Sequence, residues 1–162
     1  MRYGYFLSKH TEIWLIFIVI SFLQFGCSSQ PIYKKSIHHK ASPYKITKIA
    51  LQQVGIPYRY GGTNPKAGFD CSGLVNYSYK KAGILVPRTT RQLYKASNPV
   101  KRKQLKRGDM VFFKINRRKI SHVGLYLGNG RFVHAPSSGK KVNISNINDR
   151  YWRYRFVRGG RI

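Results

Sequence analysis

Two apolar runs that alternate with a period of two, joined by Gly128-Asn129-Gly130, constrain this chain more than any other stretch. His122-Val123-Gly124-Leu125-Tyr126-Leu127 and Arg131-Phe132-Val133-His134-Ala135 read as the two strands of an antiparallel hairpin. Loop length sets the register, and a slip of one residue turns every side chain to the opposite face. If only Asn129 and Gly130 turn, His134 pairs with Leu125 and faces away from His122. If Gly128 joins the loop, Tyr126 pairs with Phe132 and Gly124 with His134. A three-residue loop with Gly130 in the left-handed region is common. It puts His122, Gly124, Tyr126, Phe132 and His134 on one face. The two histidines are then diagonal neighbours, roughly 7–8 Å apart at their α-carbons, and Gly124 between them leaves room for imidazole.

A cysteine upstream gives this pair a meaning. Cys71 lies in Gly68-Phe69-Asp70-Cys71-Ser72-Gly73-Leu74-Val75. Asp70 is a good N-cap and Gly83 a good C′ residue, so a helix is predicted from Cys71 to about Ala82, with Leu74, Val75, Tyr79 and Ala82 as its buried stripe. A thiol at a helix N-terminus has its pKa lowered by unpaired amides and the macrodipole. The backbone N–H of Cys71 is placed to bind the oxyanion of an acyl-transfer intermediate. Thiol, base and a group that orients the base are the parts of a cysteine hydrolase. Each histidine alone reads as a half-buried strand residue; together, beside a capping-turn Cys71, they read as catalytic. A Cys-His-His metal site is disfavoured, since a fourth ligand is missing and Asp149 has no reason to be near. No metal and no cofactor are expected.

Three further residues are candidate substrate or oxyanion contacts. Tyr58, in the Gly-rich loop Pro57-Tyr58-Arg59-Tyr60-Gly61-Gly62, could donate its hydroxyl to substrate or to the oxyanion; packing is its alternative role. Asp70 and Ser72 could meet an amine or amide of the substrate, the helix cap being the firmer role for Asp70. Asp109 reads as the end of a turn before a strand.

A chain of 162 residues is enough for one domain with a proper core. Ile46, Ile49, Ala50 and Val54 recur at helical spacing and Gly55 can end that helix. Thr89 and Thr90 can cap a short helix through Leu93. Lys101 to Arg107 is a basic approach segment. Strands are expected at Met110–Phe113, His122–Leu127, Arg131–His134, near Val142–Ile144 and near Tyr154–Val157. Helices first and antiparallel strands later predict an α+β fold with the helices packed on one face of the sheet.

The N-terminal stretch reads as an address. Arg2 and Lys9 precede the apolar run Ile13–Leu23, and Gly26-Cys27-Ser28-Ser29 follows, the pattern of a secretory signal. A retained N-terminal anchor is the alternative. Residues 1–26 are therefore assigned to a signal peptide, 27–43 to a basic flexible tether and 44–162 to the folded domain. The surroundings of Cys27 resemble a bacterial lipoprotein processing site, where the cysteine is diacylated; ordinary cleavage nearby is the alternative. With Cys27 acylated, Cys71 is the one remaining cysteine and is unpaired within the chain, which suits a reactive thiol rather than a disulfide. Thirty-one basic against four acidic residues give a net charge of +27. Such a field attracts polyanions. Export turns the expectation from nucleic acid to anionic envelope polymers, unless the charge is simply a solvated face.

Taken together these segments resemble the NlpC/P60 family of exported, papain-like cysteine peptidases that cut peptidoglycan stem peptides. The likeness spans about Ile46 to Ile162. It is carried by Pro57–Gly62, Phe69–Gly73, Pro87-Arg88-Thr89-Thr90, Leu105–Asp109, His122–Gly128 and Phe132–Ala135, in that order. The resemblance implies Cys71 as nucleophile, His122 as base, His134 as the third polar residue and Tyr58 as the active-site tyrosine. The tail Ile147–Trp152 resembles the Spr-like lipoprotein murein endopeptidases, which cleave D-alanyl–diaminopimelate cross-links; other members cleave γ-D-glutamyl–diaminopimelate bonds. It implies peptidoglycan as the partner, a monomer, and an outer-membrane lipoprotein facing the periplasm.

Overall fold

The computed structural model describes residues 42–115 and 119–162. The signal segment, Cys27 and the tether up to residue 41 lie outside the described residues. Helix α1 spans Pro43–Leu51. Its first residue, Pro43, lies one position ahead of the assigned start of the folded domain; a proline at the first helical position has its φ preset and needs no N–H partner. The helix stops before Val54, which is 47% exposed. Beyond Leu51 the bonds tighten to three-residue spacing, and Gly55, at φ 93°, hands its N–H to the carbonyl of Val142.

A two-stranded ribbon follows, β1 Thr63–Asn64 with β2 Gly68–Phe69. Helix α2, Cys71–Ala82, has the predicted bounds. The Asp70 carboxylate accepts the N–H of Gly73, and Gly83 closes the helix in the left-handed conformation. Leu74, Val75, Tyr79 and Ala82 are all buried. Helix α3, Thr90–Ala96, is one turn longer than expected and is capped reciprocally by Thr89 and Gln92.

The main sheet is antiparallel and six-stranded. In chain order its strands are β3 Asn98–Val100, β4 Met110–Phe113, β5 His122–Gly128, β6 Arg131–His134, β7 Asn143–Asn146 and β8 Phe156–Arg161. In space they run β3-β8-β4-β5-β6-β7. A four-residue turn of helix, α4, spans Arg150–Arg153. Strands β7 and β8 each begin slightly later than predicted. The ribbon, β3 and α4 were not foreseen; two to four residues are too few to display a period.

The hairpin has the register that aligns the histidines: Tyr126 pairs with Phe132. The loop that produces it differs from the expectation. Gly128 pairs with Arg131 and the ladder shifts at Leu127. Asn129 (φ 51°) and Gly130 (φ 76°) turn alone, both left-handed as a two-residue primed turn requires. The extra residue is taken up as a bulge in β5, which keeps Leu127 in the core.

The sheet is covered on both faces, not one. Met110, Phe112, Val123, Leu125 and Val133 pack toward α1 and α2. Val111, Phe113 and Phe132 form a second cluster on the other face with Ile147 and Trp152. Strand β4 therefore feeds two cores by simple alternation, and all four of its residues are buried. Each such side chain contributes about 1.5–3 kcal/mol of transfer free energy.

Candidate active site

Asp70 sets the start of α2 and so the position of the thiol. Its carboxylate accepts from the N–H of Gly73 at 2.6 Å, the N–H of Gly61 at 3.0 Å and the hydroxyl of Ser72 at 3.2 Å. Arg88 grips both carboxylate oxygens, at 3.0 and 2.6 Å, and also donates to Ser72 at 2.9 Å. These contacts make Asp70 and Ser72 the frame of the capping turn. Arg88 stands in the motif Pro87–Thr90, but nothing local signals that its partner lies eighteen residues upstream.

Cys71 is the first residue of α2, where the N–H has no intrahelical partner. Its thiol is 3.5 Å from the hydroxyl of Thr90. Burial, the largest influence, pushes the thiol pKa upward; Thr90 lowers it, the Asp70 carboxylate raises it, and the N–H groups of Val123 and Ser72 lower it. The net shift is upward, opposite to what a helix N-terminus alone predicts. Desolvation outweighs the amides here, so the resting form is a thiol that needs a base.

Val123, the residue after His122, is among the groups that act on the thiol. Nε2 of His122 is 2.9 Å from Nδ1 of His134, and Nε2 of His134 is 3.0 Å from the hydroxyl of Ser145. With Nε2 of His122 engaged by His134, Nδ1 is its remaining ring nitrogen. Burial lowers the pKa of His122 to about 4. Burial and the neighbouring His122 lower that of His134 as well. Both rings are neutral near pH 7.

Cys71 packs against the helical-face core, whereas His122 and His134 belong with the aromatic residues of the other face. His122 contacts Phe113, and His134 contacts Phe132. The two halves meet at the start of β5. Gly124 makes the histidine pair possible: a β-carbon there would lie 3.2 Å from that of His134 and 2.7 Å from the ring of Phe132.

Trp152, given no role by the sequence, covers the pair. Its indole stacks on His122, centroids 5.5 Å apart, and meets His134 edge-on at 4.8 Å. It shields the inter-histidine hydrogen bond from water, which strengthens that bond. Behind it His134, Asn143, Ser145, Lys140, Asp149 and Trp152 line an open cleft, so Asp149 is nearer the site than its sequence position suggested.

Tyr58 is half-buried and packs against the helical-face core. Burial raises its phenol pKa first, then the charges of Cys71 and Asp70. It is thus a protonated donor within electrostatic reach of the sulfur. Among the described residues no three His, Cys, Asp or Glu side chains converge as metal ligands, and the facing nitrogens of the histidine pair are spent on one another.

Known proteins share this sequence pattern and this fold. The NlpC/P60 family model matches residues 55–161. Murein DD-endopeptidase MepH of Escherichia coli K12 is 43% identical over 132 residues, covering 76% of this chain and 49% of that protein. The bifunctional muramidase/DL-endopeptidase CwlT of Bacillus subtilis 168 is 44% identical over 119 residues, covering 72% of this chain and 36% of that protein. The crystal structure of an NlpC/P60 family protein from Bacillus cereus superposes with a TM-score of 0.70 at 29% identity, covering 74% of this chain and 40% of that one. The chain spans about half the length, or less, of these curated relatives. Sequence, fold and the order of the site residues along the chain lead to one statement: this chain belongs to the NlpC/P60 family.

Proposed function

We propose that the domain is a peptidoglycan endopeptidase that hydrolyses amide bonds of murein peptides by a Cys71-His122-His134 mechanism. The observation that carries the reading is the 2.9 Å hydrogen bond between His122 and His134, next along the strand from Val123, whose N–H acts on the Cys71 thiol. The thiol attacks the amide carbon as its proton passes to Nδ1 of His122. The oxyanion is held by the N–H of Cys71, with the Tyr58 hydroxyl, whose phenol feels the charge of Cys71, as a second donor. The C–N bond breaks, the amine leaves with the proton from His122, and a thioester remains. Water then gives a proton to His122, attacks the thioester and releases the carboxylate, and the thiol regains its proton.

The bond we assign is the D-alanyl–diaminopimelate cross-link. The tail Ile147–Trp152 and the DD-endopeptidase relative support it. The DL-endopeptidase relative favours the γ-D-glutamyl–diaminopimelate bond as the second reading. Mass spectrometry of muropeptides digested by the purified domain separates them. Loss of cross-linked dimers supports the first, and shortened stem peptides with intact cross-links the second. Cys71→Ser should abolish either product while the thermal midpoint stays put; retained hydrolysis would sink the thiol mechanism.

We further read the protein as exported and anchored through Cys27. The support is the residue pattern around positions 1–29. Cys27→Ala should move the protein from the membrane fraction to the soluble one, and unchanged association would argue against acylation.

A further inference from the structure

The direction of the hydrogen bonds behind the histidine pair is fixed by an atom that can only accept. The carbonyl of Lys141 takes a hydrogen bond from Nδ2 of Asn143 at 3.2 Å. The amide oxygen Oδ1 of Asn143 therefore points the other way, toward Ser145, whose hydroxyl donates to it at 3.5 Å. A hydroxyl has one proton to give. Having given it to Asn143, Ser145 must accept from His134, 3.0 Å away at Nε2. His134 then carries its proton on Nε2 and presents a lone pair at Nδ1. Across 2.9 Å, Nε2–H of His122 is the donor. The remaining nitrogen of His122, Nδ1, is left with a lone pair.

We propose that Ser145 and Asn143 are positioning residues that hold His134, and through it His122, in the one tautomer able to accept the proton of Cys71. The proposal rests on the peptidase reading for its kinetic part and on geometry alone for its tautomer part. Strand alternation explains why these two residues serve. Asn143 is the cross-strand partner of His134. Ser145, two residues on, lies on the same face of β7, while Ile144 between them is 44% exposed. The reverse chain would be inactive. With the proton of His134 on Nδ1, His122 must accept at Nε2 and keep its own proton on Nδ1, with no lone pair to take the thiol proton. Two neutral rings are where such a choice matters, since a doubly protonated ring has no tautomer to select.

The cleft lined by Ser145 and Asn143 sets the size of the effect. In Ser145→Ala water can enter and either donate to or accept from Nε2, so the lock loosens without the site collapsing.

The test uses the domain labelled with 15N in its histidines. Long-range 15N–1H correlation at pH 7 should show both His122 and His134 as Nε2–H tautomers. An Nδ1–H signature for His134 overturns the proposal and needs no substrate and no variant. Ser145→Ala should mix the tautomers. It should slow alkylation of Cys71 by iodoacetamide about tenfold, and lower kcat on muropeptides about tenfold with KM unchanged. Ser145→Thr, which restores a hydroxyl, should recover all three. Wild-type tautomers and alkylation rate in a folded Ser145→Ala overturn the proposal. Because alkylation and NMR require no murein, failure of the peptidase reading leaves them to decide the tautomer lock independently.

Discussion

Arg88 and Asp70 meet at 2.6 Å in a two-pronged ion pair that ties the loop before α3 to the first turn of α2. One end of this contact caps the helix that carries Cys71, and the other leads in two residues to Thr90, which touches the sulfur. Arg88→Ala is expected to lower stability by about 1–3 kcal/mol, the usual range for losing charge-assisted hydrogen bonds at a partly buried site. It should also slow Cys71 alkylation. Arg88→Lys keeps the charge but loses the fork, so it should rescue little. Thermal unfolding and thiol alkylation of both variants check this; full rescue by lysine would mean that charge alone matters.

A methyl group at position 124 should break the site without touching a titratable group. A β-carbon on Gly124 would lie 2.7 Å from the Phe132 ring and 2.9 Å from the carbonyl of Val133. Gly124→Ala should force Phe132 and His134 aside, at a cost of about 1–3 kcal/mol for overpacking. A murein digestion rate reduced at least tenfold in folded protein is the expected result. Unimpaired turnover would show that the histidine pair tolerates displacement.

Acid should unfold this domain through its buried imidazoles. Folding depresses the pKa of His122 from 6.5 to about 4, and that of His134 is depressed too. Below pH 6.5 the unfolded chain binds protons that the folded chain refuses. The stability contributed by neutral burial is complete above that pH and is lost as pH falls toward 4. A shift of this size corresponds to roughly 3 kcal/mol for His122 alone. Urea unfolding between pH 7 and 4 should follow this slope. His134→Gln, which removes one titrating ring, should flatten it.

Salt should separate docking from chemistry. The chain carries a net charge of +27, and two of its carboxylates, Asp70 and Asp109, are spent on Arg88 and Arg161. Retention on intact murein or on anionic envelope polymers should weaken as ionic strength rises, because exposed charges are screened beyond roughly 8 Å at physiological salt. Turnover of a small soluble stem peptide should change much less. Equal sensitivity of both would place the basic surface within the substrate site itself.

The parts of this site that local chemistry controls were legible in the sequence. A capping Asp70 and a closing Gly83 delimit α2, because orphan amides and carbonyls at helix ends are satisfied within a few residues. Alternation placed His122 and His134 on one face, because side chains of a strand repeat every two residues. Even there loop length is an incomplete guide to register. A plain two-residue turn implies the other register, yet a bulge at Leu127 supplies the missing residue inside the strand.

The sequence by itself thus determined a capped helix beginning at a cysteine and a hairpin that aligns two histidines. What brings them together only the tertiary structure decided. Cys71 packs on one face of the sheet and the histidines on the other, and the approach of the thiol to Val123 at the start of β5 depends on how α2 packs. Arg88 on Asp70, Ser145 behind His134 and Trp152 over the pair are contacts across folded elements. So is the upward shift of the Cys71 thiol, which burial sets against the local helix dipole. Caps and alternation act through neighbouring backbone groups and can be read along a chain. Desolvation and cross-element hydrogen bonds exist only once the layers have closed.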